Sequence, residues 1–300
     1  MAIPVILDTD IGHDVDDVWA LAFLLNCPEL DVKLITTCTG DTVYRARLVA
    51  KMLETAGRED VPIGIGVPLD ATPKTHSKWL GEFDLLEYEG VVYRDGIGSI
   101  CEAILGSEEE VTLLGIGPLP NIAAALAREP DIVGNARFVG MHGSLRRGYL
   151  GAPKPMREYN VKQHALACQA VFRANWQKTI TPLDTCGTVM LDGERFQKIR
   201  NNEAPLVRAV IENHECWFEA VRDWPIVQEL DASKSSSILY DTVAIYLAFA
   251  EEFLQMEELP ILVTDDGKTL VDSEGSVVRC ATDWRDKEAF LDLLVQRLSG

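Results

Sequence analysis

The chain is expected to fold as an α/β protein, an open, mostly parallel, Rossmann-like sheet with helices on both faces and a small antiparallel appendage near the C-terminus. Short apolar, β-branched runs alternate with longer amphipathic stretches from residue 3 to about residue 223, the pattern of a sheet covered on both faces. Beyond residue 260 the runs shorten and are joined by Asp265-Asp266-Gly267 and Ser273-Glu274-Gly275, which have hairpin-turn chemistry. With 300 residues, 47% hydrophobic and 25% charged, the chain has an ordinary composition for a soluble protein with a large core. No repeat, low-complexity tract or flexible linker interrupts it, so one domain over 1–300 is expected.

Taken in order, Ile3–Leu7 reads as the first strand, followed by a helix from about Asp16 to Asn26 that Cys27-Pro28 stops. Val32–Cys38 is the second strand, and the helix after it runs from about Thr42 to Ala56, with Gly57 as its C-terminal stop. Val61–Val67 is a third apolar run. Val111–Ile116 precedes a helix over Asn121–Arg128, and Arg137–Met141 precedes one helix over Val161–Ala174. Lys178–Pro182 leads into the mostly helical stretch 192–223. Ile261–Val263, Thr269–Val271 and Val277–Cys280 are the strands expected in the appendage, and Asp286–Leu298 the closing helix.

The net charge of −19, from 47 acidic against 28 basic residues, argues against a nucleic-acid or anionic-membrane partner. Met1 leads almost directly into Ile3–Leu7 without a charged segment or a long apolar core, so no signal peptide is expected. The longest apolar run, Val18 to Leu25, is too short to span a bilayer. Seven scattered cysteines without a Cys-x-x-Cys pair fit a reducing cytoplasm and no zinc site.

The densest chemistry lies directly after the first strand. Asp8, Asp10, Asp14, Asp16 and Asp17 fall within ten positions. Like charges so close repel, and each costs free energy to desolvate, so the cluster calls for a cation or a hydroxyl-rich ligand. In an open parallel sheet ligands bind beyond the carboxyl ends of the strands, where Asp8, Asp10, Asp41, the loop Gly115–Asn121 and Met141-His142-Gly143 all fall. Strand alternation is expected to point Asp8 and Asp10 to one side. An irregular set of carboxylates, carbonyls and waters suits Ca²⁺ better than Mg²⁺. The plainer alternative is that Asp14, Asp16 and Asp17 only cap the next helix and meet its positive end.

The segment resembles the N-terminal signature of the inosine–uridine-preferring nucleoside hydrolases, an Asp-x-Asp-x-Gly-x-Asp-Asp pattern before an apolar helix, but has two more residues between Gly12 and the Asp pair. Anchored on the helix, Asp16-Asp17 match that pair; anchored on the strand, Asp14 matches its first member. Asp16-Asp17-Val18-Trp19-Ala20-Leu21 continues the family's helix and favours the first anchor. Four further segments resemble the family in order. They are Leu34–Asp41, with Asp41 where the family usually has Asn; Gly117-Pro118-Leu119-Pro120-Asn121; Glu158-Tyr159-Asn160; and Tyr240-Asp241-Thr242, with Tyr240 where the family has His.

The resemblance implies calcium-dependent hydrolysis of the N-glycosidic bond of a ribonucleoside, giving ribose and free base. It implies that Asp10, Asp17, Asp241 and the Pro120 carbonyl hold Ca²⁺, with Asp10 the general base toward a calcium-bound water. Asp16, Glu158 and Asn160 would orient the ribose hydroxyls, Asp41, Met141 and Tyr240 would contact substrate, and a dimer or tetramer is the expected assembly. A tyrosine is a poorer proton donor near neutrality than a histidine, so the leaving-group acid and the preferred base stay open. His13 and His142 flank the motifs; a lone histidine is usually a local hydrogen-bonding residue, and both stay outside the catalytic set. Among Trp19, Trp79, Trp176, Trp217, Trp224 and Trp284 no base-stacking face is identifiable. Two competing readings remain. One is a haloacid-dehalogenase-type phosphatase with Asp8 as nucleophile; the other is a calcium-dependent ribose-binding or nucleoside-binding protein without turnover.

Overall fold

Residues 2–225, 227–228 and 230–300 are described by a computed structural model of the chain. Strand β1 (Ile3–Thr9) lies at the centre of the sheet. Its Val5 and Leu7 join one apolar core and Ile6 the other, as the alternation of side chains along a strand requires. From β1 the chain winds outward in one direction through α1 (Asp16–Leu25), β2 (Leu30–Thr37), α2 (Thr42–Ala56), β3 (Ile63–Ile65), α3 (Ser77–Leu80), β4 (Val92–Tyr93) and α4 (Gly96–Leu105). It then crosses to the other side of β1 through β5 (Val111–Gly115), α5 (Pro120–Arg128), β6 (Ala136–Met141), α6 (Tyr159–Gln163), α7 (Ala165–Arg173) and β7 (Lys178–Thr181). The helices α8 (Leu183–Cys186), α9 (Gly193–Arg200), α10 (Pro205–Ala220) and α11 (Thr242–Leu247) follow. The chain ends with β8 (Leu254–Val263), β9 (Thr269–Val271), β10 (Ser276–Trp284) and α12 (Lys287–Ser299).

The ten strands of the described residues form one sheet in the order β4-β3-β2-β1-β5-β6-β7-β10-β8-β9. Pairing is parallel from β4 to β10, and antiparallel between β10 and β8 and between β8 and β9. The predicted α/β class with antiparallel pairing at one end is therefore observed. The chain turns away from β1 in opposite directions toward β2 and β5, which makes the β1/β5 boundary the switch point of the sheet.

The hairpin expected at Ser273–Gly275 does not form. β10 pairs with β7 and with β8, so β8 separates it from β9. β10 has Val278 and Cys280 buried in one core and Ala281 in the other, which suits an interior strand, while the three-residue β9 is mostly exposed and takes the edge. The single helix expected over Val161–Ala174 is two, because His164 is non-helical (φ −146°, ψ 66°) and its imidazole caps α7 by accepting from the Ala167 amide. α4 escapes sequence reading because Gly96 and Gly98 lower its propensity. Gly96 is needed there, since a Cβ would lie 2.8 Å from the Ile65 backbone, and the Asp95 carboxylate caps the helix through the Gly98 amide.

Candidate active site

A cavity opens at the β1/β5 switch point, beyond the carboxyl ends of β1, β5 and β6. One wall is acidic, with Asp10, Asp14, Asp16, Asp17 and Asp241 all lining it. β1 ends at Thr9, whose hydroxyl accepts from the Ile11 amide (3.0 Å) and donates to the Asp17 carboxylate. That turn directs Asp10 into the cavity and starts α1 at Asp16, with both of its first two carboxylates on the positive end of the helix. Asp241 comes from the start of α11, which packs against α1. Oxygens of Asp16, Asp17 and Asp241 lie within 4.8 Å of one another, and all three residues are buried. Simple capping does not account for them. The residue before α1 is Val15, no side-chain cap bond forms, and Asp14 accepts only from the adjacent Val15 amide.

Burial pushes the carboxyls of Asp16, Asp17 and Asp241 well above the usual range, and their charges on one another and from Asp10 push further. Burial also raises Asp10, opposed by the guanidinium of Arg45 at 3.9 Å. Arg45 is itself buried and held by the carbonyls of Ile11 (2.7 Å) and Thr39 (2.9 Å). Among the described residues Arg45 is the guanidinium facing these carboxyls, so ionising them all calls for further positive charge. An all-oxygen, closely spaced donor set of this kind fits a hard divalent cation. Gly117 passes so near that a Cβ there would lie 2.8 Å from Asp10 Oδ1.

The lining also includes Ile116, Met141, Glu158 and Asn160. The Asn160 amide donates to the carbonyls of Ile116 and Met141, both at 3.0 Å, which ties the ends of β5 and β6 together. Glu158 caps α6 and accepts from the amides of Gly143, Asn160 and Val161. Burial outweighs those bonds and pushes its carboxyl up to about 7. Tyr149, Tyr159, Trp224, Tyr240 and His13 are the aromatic part of the lining. The Tyr240 ring meets Tyr149 edge-on, and its hydroxyl is buried with no partner among the described residues.

The structure therefore brings Asp10, Asp16, Asp17, Met141, Glu158, Asn160, Tyr240 and Asp241 to one cavity. Two residues of the expected set lie elsewhere. Asp41 caps α2 through the Tyr44 amide (2.9 Å) and pairs with Lys74, half exposed and away from the cavity. Pro120 is the first residue of α5 and does not line the cavity; the residue of that loop which does is Ile116.

Asp8 and Asp10 do not share a side, because Asp10 has already left the strand. Asp8 is fully buried outside the cavity lining, its Oδ1 accepting from Thr36 Oγ1 (2.6 Å) and Asn121 Nδ2 (2.7 Å). A nucleophile so enclosed has no access to a phosphoester, which removes the phosphatase reading. His142 is buried against Phe138 and Phe172 with Nε2 near the Gly117 carbonyl, away from the cavity. Sequence reading left out Ile116, Arg45, Tyr149, Tyr159 and Trp224, and set His13 aside. Arg45 had one usable signal, since it falls on the same face of α2 as Leu48, Val49 and Met52, where a lone charge needs a partner.

The family model described as inosine–uridine preferring nucleoside hydrolase matches residues 5–292. The non-specific ribonucleoside hydrolase RihC of Escherichia coli O1:K1 is 33% identical over 201 residues, and the match spans 64% of this chain and 64% of that protein. Among solved structures, a plant nucleoside hydrolase, the PpNRh1 enzyme, superposes with a TM-score of 0.83 at 19% identity over the full length of both chains. A purine-preferring ribonucleoside hydrolase from Gardnerella vaginalis superposes with a TM-score of 0.79 at 21% identity, covering 99% of this chain and 98% of that one. At these identities the superpositions speak for the fold.

Proposed function

The chain belongs to the inosine–uridine preferring nucleoside hydrolase family, and on that premise we propose that it hydrolyses the N-glycosidic bond of ribonucleosides with Ca²⁺ as cofactor, releasing ribose and free base. One observation carries the reading. Asp241, more than two hundred residues along the chain, meets Asp10, Asp16 and Asp17 in a single cavity that Glu158 and Asn160 also line.

Cleavage of a C–N glycosidic bond builds positive charge on the sugar ring. The acidic wall favours that charge as it forms. Asp10, Asp16, Asp17 and Asp241 would hold the cation, with the Ile116 carbonyl in the part the resemblance assigns to Pro120. Bound there, the ion supplies a point of attachment for oxygen ligands, the vicinal ribose hydroxyls and a water. Asp10 accepts the proton of the attacking water, and Arg45 keeps its carboxylate in place. Glu158 and Asn160, locked by their backbone contacts, orient the sugar by its hydroxyls. The half-exposed Asp41 is left outside the substrate contacts.

The same proposal takes the chain as one domain over 1–300, a cytoplasmic enzyme and a dimer or tetramer. No helix among the described residues is long and apolar enough to cross a membrane. All seven cysteines are unpaired, which fits a reducing compartment. Sedimentation velocity would measure the assembly.

The decisive experiment is to incubate the purified protein with a panel of purine and pyrimidine nucleosides and follow free base, with EDTA and then with Ca²⁺ or Mg²⁺ restored. Base release that EDTA abolishes and Ca²⁺ restores is expected. Tight nucleoside binding without base release would instead support a binding protein.

A further inference from the structure

When a nucleoside's C1′–N bond breaks, its electron pair goes to the base, and the base leaves more easily if a proton reaches it. The residue before Asp241 is Tyr240, a phenol, which holds its proton more tightly near neutrality than an imidazolium does. We propose that His13, on the loop with two residues more than the family signature, is the catalytic acid toward the departing base; this rests on the ribonucleoside-hydrolase reading.

Four features of the structure support it. His13 lines the same cavity as Asp10, Glu158 and Tyr240. Its Nδ1 is buried with no partner among the described residues. His142 and His214 also have an unpartnered Nδ1, but they pack against Phe138 and Phe172, and against Phe196 and Phe218, outside the cavity lining. The imidazole stacks on Tyr159 (5.5 Å between centroids, 24° between planes) and meets Trp224 at 5.4 Å. These rings line the same cavity as His13 and offer a flat base a surface to stack on.

The loop is also clamped from behind. Thr75 Oγ1 donates to the carbonyls of Gly12 (3.1 Å) and His13 (2.9 Å), and Trp217 Nε1 donates to the His13 carbonyl (3.0 Å). His76 Nε2 contacts the Asp14 carbonyl (3.1 Å), and its Nδ1 contacts Asn213 Oδ1 (2.8 Å). Three separate backbone carbonyls are thus held by side chains from other parts of the chain, which fixes the loop while leaving Nδ1 without a partner among the described residues. Burial lowers the affinity of His13 for a proton, Asp10 and the Pro73 carbonyl raise it, and Arg45 lowers it.

The step balances as follows. The hydroxyl of water adds to C1′ and its proton passes to Asp10. The C1′–N bond breaks with its pair going to the base, which takes a proton from His13 Nδ1. Exchange with solvent returns both side chains to their starting states, leaving ribose and neutral base from nucleoside and water.

The test uses two leaving groups on the full chain with Ca²⁺ present. 4-Nitrophenyl β-D-ribofuranoside releases a stable phenolate that needs no proton, whereas inosine, adenosine, uridine and cytidine need one. In His13→Gln and His13→Asn, turnover of the nucleosides is expected to fall on the order of 100-fold or more, while turnover of the nitrophenyl riboside falls only a fewfold. That retained turnover also shows that the variant is folded. A parallel fall on both substrates, or no fall on the nucleosides, overturns the assignment. A native protein inert toward nucleosides and nitrophenyl riboside alike overturns the ribohydrolase reading beneath it.

Discussion

At Asp16, Asp17 and Asp241 burial and mutual repulsion act in the same direction, and each carboxyl is pushed well above its usual range. Removing one of these charges should therefore relieve the cation-free protein even as it damages the site. Asp241→Asn is expected to melt at or above the native temperature in EDTA and to lose most of the stabilisation that Ca²⁺ gives the native chain. A variant stabilised by Ca²⁺ as strongly as the native protein would contradict the ligand role. Asp10→Ala should abolish base release, a loss of 10²-fold to 10⁴-fold for the missing general base alone, with the fold intact. Full activity in that variant across the nucleoside panel would remove the mechanism. At this scale residue type and motif agreed at Asp10, Asp17, Glu158 and Asn160, and all four line the cavity. Asp41 lies instead at the start of α2, because an aspartate before a helix can serve as a cap as well as a ligand, and here it accepts from the Tyr44 amide and pairs with Lys74.

Among the elements, α2 matches expectation from Thr42 to Ala56 because both of its stops are local. Asp41 caps one end, and Gly57 in the left-handed region (φ 63°) closes the other. The break between α6 and α7 was not legible, since His164 interrupts an otherwise continuous helical pattern only by turning its ring back to cap the second helix. Helix α10 contributes at a distance, as Trp217 reaches the loop before α1 directly and Asn213 reaches it through His76. Asn213→Ala would leave the buried His76 ring nitrogen unpaired, at a cost of about 1–3 kcal/mol, readable as a lower midpoint in urea. Because His76 holds the Asp14 carbonyl, kcat is expected to fall as well. An unchanged midpoint would show that the contact contributes little.

Across the whole molecule, two carboxyls outside the repelling cluster set a pH dependence. Burial raises Asp8 and Glu158 to about 7 from 3.8 and 4.5. Groups raised in the folded state favour folding while protonated, so their contribution is complete below about pH 4 and is lost as pH rises through about 7. Exposed ion pairs such as Glu257 with Arg146, where the carboxyl is lowered to about 2, act below that window. The buried His76, His142 and His214, lowered to about 4, 3 and 4, act in the opposite sense below about pH 6.5, so in EDTA the melting temperature should fall from pH 7 to pH 8, and Ca²⁺ at pH 8 should restore much of the loss. A flat or rising profile would show that these groups are solvated or paired differently.

The alternation of apolar strands with amphipathic helices, the oxygen-donor chemistry and the order of the five motifs could all be read from the sequence, because period, propensity and residue type are properties of short segments. Which carboxylates share a cavity could not be read without the motif resemblance. Asp8 and Asp10 differ by two positions yet face different surroundings, while Asp17 and Asp241 come together from opposite ends of the chain. The reason is the sheet order. Placing β1 between β2 and β5 opens the crevice at its carboxyl end, and only the packing of α11 against α1 brings the last acid to it.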